Sequence, residues 1–253
     1  MTNYKQQVSD LLKSIETGDK SASACINPTK YIQHNLGVAD GLAGFGEVLH
    51  KLPKGSAKAN VVRVFQDGNF VFAHTEYDFF GPKIGFDIFR FEDGKIVEHW
   101  DNLITIQVKN PSARTQTDGA TELKDLDKTA ANKALVQNFV DDILLNHKHN
   151  YTDFISATKY EQHNPEVADG LEGFGAFMKD LAAKGLVMVY EKLHQIHAEG
   201  NFVLTVCEGK FGKGDSTSFY DLFRIEDGKI VEHWDVIEPI APKADWKNSN
   251  GKF

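Results

Sequence analysis

One unusual string occurs twice in this chain. Residues 29–46 read TKYIQHNLGVADGLAGFG and residues 158–175 read TKYEQHNPEVADGLEGFG, identical at 14 of 18 positions. A second pair, DIFRFEDGKIVEHWD at 87–101 and DLFRIEDGKIVEHWD at 221–235, agrees at 13 of 15. Equivalent residues lie 129 apart in the first pair (158 − 29) and 134 apart in the second (221 − 87). So long a period excludes a solenoid, whose units run roughly 20–50 residues. It predicts two copies of one domain, each long enough to bury its own core. The copied strings hold His, Asp, Asn and Trp as well as core residues, so any chemistry is expected to predate the repeat.

Within each copy the hydrophobic period changes from helical to alternating. Tyr4, Val8, Leu11, Leu12 and Ile15 recur at helical spacing, and Gly18 ends the pattern. Leu135, Phe139, Val140, Ile143 and Leu144 repeat it. Asp40 and Asp169 stand where a short second helix would take its N-cap. Beyond it, 61–65 with 70–74 and 85–91 with 95–104 read as two hairpins. The second turns at Asp93-Gly94. Helices first and antiparallel strands after predict an α+β fold. The expectation is two tandem cone-shaped domains, each with N-terminal helices on the concave face of a curved antiparallel sheet. The hollow of such a cone is the natural place for a small ligand. The expected boundaries are 1–108 and 130–241 for the domains, 109–129 for a linker and 242–253 for a polar tail.

The bulk composition narrows the function. The net charge is −8, and no cluster of Lys and Arg interleaves with aromatics. Nucleic acid and anionic membrane surfaces are therefore not expected partners. Cys25 and Cys207 are not equivalent in the two copies, which argues for free thiols rather than a shared disulfide or metal site. The polar start lacks the basic and apolar run of a signal peptide, and the expected location is cytoplasmic.

The strongest chemical string is Glu98-His99-Trp100-Asp101, repeated as Glu232-His233-Trp234-Asp235. Side chains alternate along a strand, so His99 and Asp101 share one face, and Glu98 and Trp100 the other. A carboxyl buried beside apolar residues has its pKa raised, which suits it to take and return a proton. The competing reading is an ordinary His and Asp at the rim of an edge strand. Asp87 and Asp221 lie on the preceding strand. A three-residue loop Glu92-Asp93-Gly94 would place Asp87 opposite His99, whereas a two-residue turn would send it to the other face. The three-residue loop is the expected one. His34 and His163, in Tyr-x-Gln-His-Asn, are candidates for a cavity mouth or for a hydrogen-bonded loop. His34, Asp87, His99 and Asp101 are acceptable metal-ligand types. No tight spacing such as His-Glu-x-x-His accompanies them, and neither metal nor cofactor is expected.

These residues resemble the SnoaL-like polyketide cyclase family of the nuclear transport factor 2-like superfamily. The resemblance lies in Tyr-x-Gln-His-Asn…Asp-Gly and Asp-x-Phe-Arg-x-x-Asp-Gly-Lys-Ile-Val-Glu-His-Trp-Asp, and it covers both copies. It implies a cavity in each domain and, in the cyclases, a metal-free intramolecular aldol condensation with a cavity Asp as acid and base. The matching positions are Asp101 and Asp235. The position of the cyclases' cavity His is taken here by Asp87 and Asp221. The expected function is proton transfer next to a carbonyl of a small apolar ligand: aldol-type cyclisation, isomerisation or a related lyase step. Asp101 and Asp235 act as base, His99 or His34 (His233 or His163) polarises the oxygen, and Asp87 or Asp221 tunes the His. The alternative is a non-catalytic binding or scaffold protein. Single-domain relatives pair through the outer sheet face. This implies an intramolecular pseudo-dimer in which Ile96 and Trp100 meet Ile230 and Trp234.

Overall fold

A computed structural model describes residues 3–52 and 55–253; Met1 and Thr2 of the expected first domain, with Pro53 and Lys54, lie outside them. The chain divides into two units, Met1–Ile106 with Ala241–Phe253, and Gln107–Ile240. Each is α+β.

In the first unit, α1 (Tyr4–Thr17) buries Val8, Leu11 and Leu12 on one face. The Asn3 side chain caps it by accepting from Gln6 N, and Gly18, left-handed at φ 70°, closes it. Then come β1 (Ile32–Gln33), α2 (Gly41–Lys51), β2 (Lys58–Asp67), β3 (Phe70–Asp78), β4 (Pro82–Glu92) and β5 (Lys95–Thr105). The sheet order is β1-β5-β4-β3-β2, with β1 parallel to β5 and the rest antiparallel. The second unit repeats this order. It holds α3 (Thr129–Phe139, continued by a π-helical turn over Val140–Leu145), β6 (Glu161–Gln162), α4 (Gly170–Ala183), β7 (Val187–Glu199), β8 (Phe202–Gly212), β9 (Asp215–Glu226) and β10 (Lys229–Pro239). Asp40 and Asp169 occupy the expected cap positions but do not cap. Their carboxylates accept instead from Gln33 N and Gln162 N, tying each short helix to the edge strand.

The β4–β5 turn differs from expectation. Glu92 pairs with Lys95, so the turn is the two-residue Asp93-Gly94, with φ 49° and 78°. Asp87 nevertheless stays on the face of His99 and Asp101. The register shifts between Phe91–Ile96 and Arg90–Glu98, which leaves Val97 as an extra residue. This bulge reverses the alternation that the short turn would impose. The same shift separates Ile225–Ile230 from Arg224–Glu232 in the second unit. It also corrects the expected pairing surface. Ile96 and Ile230 turn into the helix-side cores of their own units, away from the face of Trp100 and Trp234.

The expected linker and tail are parts of the folded units. Residues 109–129 belong to the second. Asn110 Nδ2 donates to Gln162 O and Val167 O, Arg114 pairs with Asp169, and Lys124 N donates to Asn201 Oδ1. The 242–253 segment belongs to the first. Asn248 Nδ2 donates to Asn35 O and Val38 O, and Asn250 Nδ2 donates to Gln33 O and Asp40. Their polar composition reflects asparagines that satisfy carbonyls where the chain has no ladder partner. Each strap thus follows the last strand of one repeat and packs within the unit of the other. Cys25 and Cys207 are free thiols. No helix among the described residues is long and apolar enough to cross a membrane.

Because Gly94 and Gly228 sit at φ 78° and 72°, Gly94→Ala or Gly228→Ala should each cost about 1–2 kcal/mol. Urea denaturation would register the loss; an unchanged midpoint would contradict the turn geometry.

Candidate active site

The concave face of the first unit carries Asp87, His99 and Asp101 together. Asp87 on β4 is directly opposite Asp101 on β5, and its Oδ1 lies 3.1 Å from His99 Nε2. Asp87 Oδ2 accepts from the Tyr77 hydroxyl at 2.6 Å. His99 Nδ1 lies 2.9 Å from Gln33 Oε1. Asp101 Oδ2 accepts from Asn35 Nδ2 at 2.6 Å. All three are buried. They line a cavity of about 140 Å³ with a polar floor that also includes Gln33, Asn35 and Asn102, and with apolar walls that include Leu11, Leu12, Phe45 and Val48.

The hydrogen bonds define the protonation of the His. In the second unit Gln162 Nε2 donates to the Tyr160 hydroxyl, so its Oε1 is the atom facing His233 Nδ1. An amide oxygen only accepts, so Nδ1 carries a proton. Nε2 meets Asp221 at 3.0 Å and donates there as well. His233 is thereby an imidazolium clamped between an amide and a carboxylate. Burial opposes that charge, but Asp221 and Asp235 outweigh it and hold the His233 pKa above its ordinary value. The equivalent His99 has the same partners in Gln33 and Asp87. Both nitrogens of each ring are thus committed inside the protein. The expected role of His99 and His233 in polarising a ligand oxygen is reassigned, since neither has an N–H left to give.

Tyr31 and Tyr160 fit that role, and sequence reasoning passed over them. Tyr31 lines the cavity, and its hydroxyl accepts from the Gln33 amide, which leaves its own proton for a ligand. Burial raises the pKa of both phenols, followed by the nearby aspartates, so each stays a neutral donor. The signal was present in the Tyr-x-Gln spacing, which puts the two side chains on one face of an extended segment.

The second unit keeps the polar floor but not the room. Asp221, His233 and Asp235 are buried, and Asn164 Nδ2 donates to Asp235 Oδ2 at 2.7 Å. Burial raises the Asp235 carboxyl to about 6, against the lowering effect of His233. The residual hollow is about 30 Å³, lined by Phe139, Tyr190, Asp221 and His233. That is the space of about one water. Phe139 stands where the first repeat has Leu11, and Phe177 where it has Val48. The tyrosine on the aspartate has moved. Ala59 pairs with Tyr77 across β2–β3, whereas Tyr190 pairs with Gly209 across β7–β8. The hydroxyl of Tyr190 still reaches Asp221, at 3.2 Å. A side chain at Gly209 would run into the Val189 carbonyl, so the exchange is concerted.

His34 and His163 are not cavity residues. His34 Nε2 lies 3.0 Å from Glu98 on the opposite sheet face, Nδ1 meets Gly251 O, and the ring stacks on Trp100. His163 repeats this with Glu232, Thr115 O and Trp234. Burial works against the charge of Glu232, yet bonds from His163 and Arg224 hold its carboxyl below the usual range. Ligand-type atoms lie within 4.8 Å of one another in three sets: Asp87, His99 and Asp101; Asp221, His233 and Asp235; and Glu161, His163 and Glu232. The described hydrogen bonds and ion pairs engage the side chains of each set.

Residues 136–233 match the SnoaL-like domain family. No curated protein matches the chain. Among solved structures, TsrD from Streptomyces laurentii is 19% identical over 40% of this chain and 87% of its own, with a TM-score of 0.35. An NTF2-like protein of unknown function from Burkholderia xenovorans is 17% identical over 46% of this chain and 94% of its own, with a TM-score of 0.37. IdmH from Streptomyces antibioticus, described as a candidate polyketide cyclase, is 20% identical over 39% and 89%, with a TM-score of 0.32.

Asp235 and His233 predict a pH dependence. The Asp235 carboxyl, ordinarily 3.8, is raised to about 6, so the folded chain keeps a proton that the unfolded chain has lost. The stability this contributes is full below about pH 4 and fades as pH rises through about 6. His233, raised above its ordinary 6.5, contributes stability that is full below that value and is lost as pH climbs through the folded pKa. Asp235→Asn should flatten the fall between about pH 4 and 6, by up to about 1.4 kcal/mol per pH unit. Urea denaturation at stepped pH would show this; an unchanged slope would contradict it.

Proposed function

We propose that the first unit is a cofactor-independent enzyme for proton transfer next to a carbonyl, and that its substrate is small and apolar. The observation that carries this reading is the side chain of Asp101 on the polar floor of a cavity with apolar upper walls, where a buried phenol, Tyr31, also stands. Asp101 takes the proton from the carbon next to the carbonyl. The electron pair moves onto the oxygen, and the Tyr31 O–H donates a hydrogen bond to it, so the step yields an enolate and a protonated Asp101. Return of that proton restores the ketone. The ring of His99, fixed by Asp87 and Gln33, holds the polar floor in register beside Asp101. This enolisation is the step shared by aldol ring closure, isomerisation and related lyase reactions. The SnoaL-like match and the resemblance to the cyclases agree with it but do not choose among these outcomes.

The cavity volume limits the ligand. An engineered apolar cavity of about 150 Å³ in another protein takes benzene, and the hollow here is about 140 Å³. A single ring bearing one carbonyl fits, and a polycyclic skeleton does not. For the second unit the non-catalytic reading is favoured, because its hollow of about 30 Å³ admits no such ring.

Cyclohexanone in D2O provides the test. The chain should catalyse deuterium exchange at the carbons next to the carbonyl, followed by mass spectrometry. Asp101→Asn should slow exchange about 10²–10⁴-fold, while Asp235→Asn should leave it unchanged. Equal loss from both variants, or exchange indifferent to Asp101, would refute the assignment.

A further inference from the structure

The strap of the first unit brings a lysine to the site. Lys252 is buried at 6% exposure, although lysine is almost never buried unless paired. Its Nζ donates to the main-chain carbonyl of Asp101 at 2.7 Å and stands 3.9 Å from Asp101 Oδ1. The strap is held in register over the residues that lead into this contact. Asn248 and Asn250 bond the carbonyls of Asn35, Val38 and Gln33, and Gly251 O meets His34 Nδ1 at 2.9 Å. With Asn35 on Oδ2, each oxygen of Asp101 has a different fixed neighbour.

The other strap offers a control within the same molecule. Thr115 O meets His163 Nδ1 as Gly251 O meets His34 Nδ1. One residue further on, the first strap has Lys252 and the second has Gln116, also buried, with its Oε1 on Gln107 N. The cationic influences described on Asp235 are those of His233 and His163, without an ammonium among them, and burial holds that carboxyl at about 6.

We propose that Lys252 is a positioning residue of the first unit's site, fixing Asp101 as the carboxylate that proton abstraction requires. This deepens the reading of Asp101 as the base and rests on it. The ionisable groups facing Asp101 are His99 on its own strand, Asp87 on β4, Tyr77 on β3, Tyr31 beside β1 and Lys252 on the strap. Lys252 is the one ammonium among them. His99 is committed to Asp87, so Lys252 is the cation that answers to Asp101. The arrangement also makes the two sites unequal: Asp101 has a buried ammonium 3.9 Å away and an open cavity beside it, and Asp235 has neither the ammonium nor the space.

The test reads the carboxyl directly and so stands apart from turnover. Side-chain carboxyl carbons are followed by NMR across pH, with the Asp101 signal identified by its loss in Asp101→Asn. Lys252→Met and Lys252→Gln should move its titration midpoint to higher pH by about one unit or more, since a neighbouring cation shifts a carboxylate by about 1–3 units. Lys252→Arg should keep it in place, and the Asp235 midpoint should not respond to any of the three. An Asp101 midpoint unmoved in both neutral variants overturns the proposal. Should those variants fail to fold, the ammonium nitrogen of Lys252 is observed instead. Asp101→Asn should shift its signal and Asp235→Asn should not; indifference to Asp101 overturns the proposal as well. Moved midpoints in a chain that exchanges no cyclohexanone would count against the enolisation reading and leave the Lys252 contact established.

Discussion

A single extra residue in the last strand of each repeat decides where the chemistry points. The two-residue turn at Asp93-Gly94 suits the twist of the hairpin. Left alone, it would put Asp87 on the face opposite His99 and Asp101. Val97 restores the alternation, and Val231 does the same in the second unit. The contacts of Asp87 depend on that correction: the Asp87–His99 bond, the Tyr77–Asp87 bond and the cross-strand Asp87–Asp101 pair. Two aspartates side by side below the surface need partners: Asp87 has His99 and Tyr77, Asp101 has Asn35 and Lys252, and the amide of Gln33 holds the His99 ring in place.

The same floor serves two different hollows. In the first unit Leu11 and Val48 leave room above Asp101. In the second, Phe139 and Phe177 stand at those positions and the space is nearly gone. The tyrosine that holds the floor aspartate was kept even though its position jumped from one strand to the next, from Tyr77 to Tyr190. A contact retained through a change of address matters to the fold, for an unpartnered aspartate oxygen in this setting is costly. The floor is therefore a folding element with chemical potential, and the residues above it determine whether that potential has a substrate.

Much of this was legible in the sequence. The two repeats, the helix-then-strand order and the shared face of His99 and Asp101 followed from spacing alone. The bulge did not, because Ile96-Val97 reads as an ordinary apolar pair until the register is seen. His34 looked like a cavity residue because it sits among Gln33 and Asn35, which are. Only the Glu98 and Gly251 contacts place it on the other face. The straps were misread for a related reason. Asn110, Asn248 and Asn250 are polar, and polar runs suggest loops, yet these amides were satisfying carbonyls far away in sequence. Lys252 was invisible on the same grounds, since nothing local marks a lysine that will be buried beside an aspartate about 150 positions earlier.

The central claim is that one of the two hollows receives a small carbonyl ligand and the other does not. Titration with 4,4-difluorocyclohexanone, followed by fluorine NMR, tests it most directly. One bound signal per chain, abolished by Leu11→Phe, is the predicted result. Two equivalent bound molecules, or binding untouched by that substitution, would contradict it.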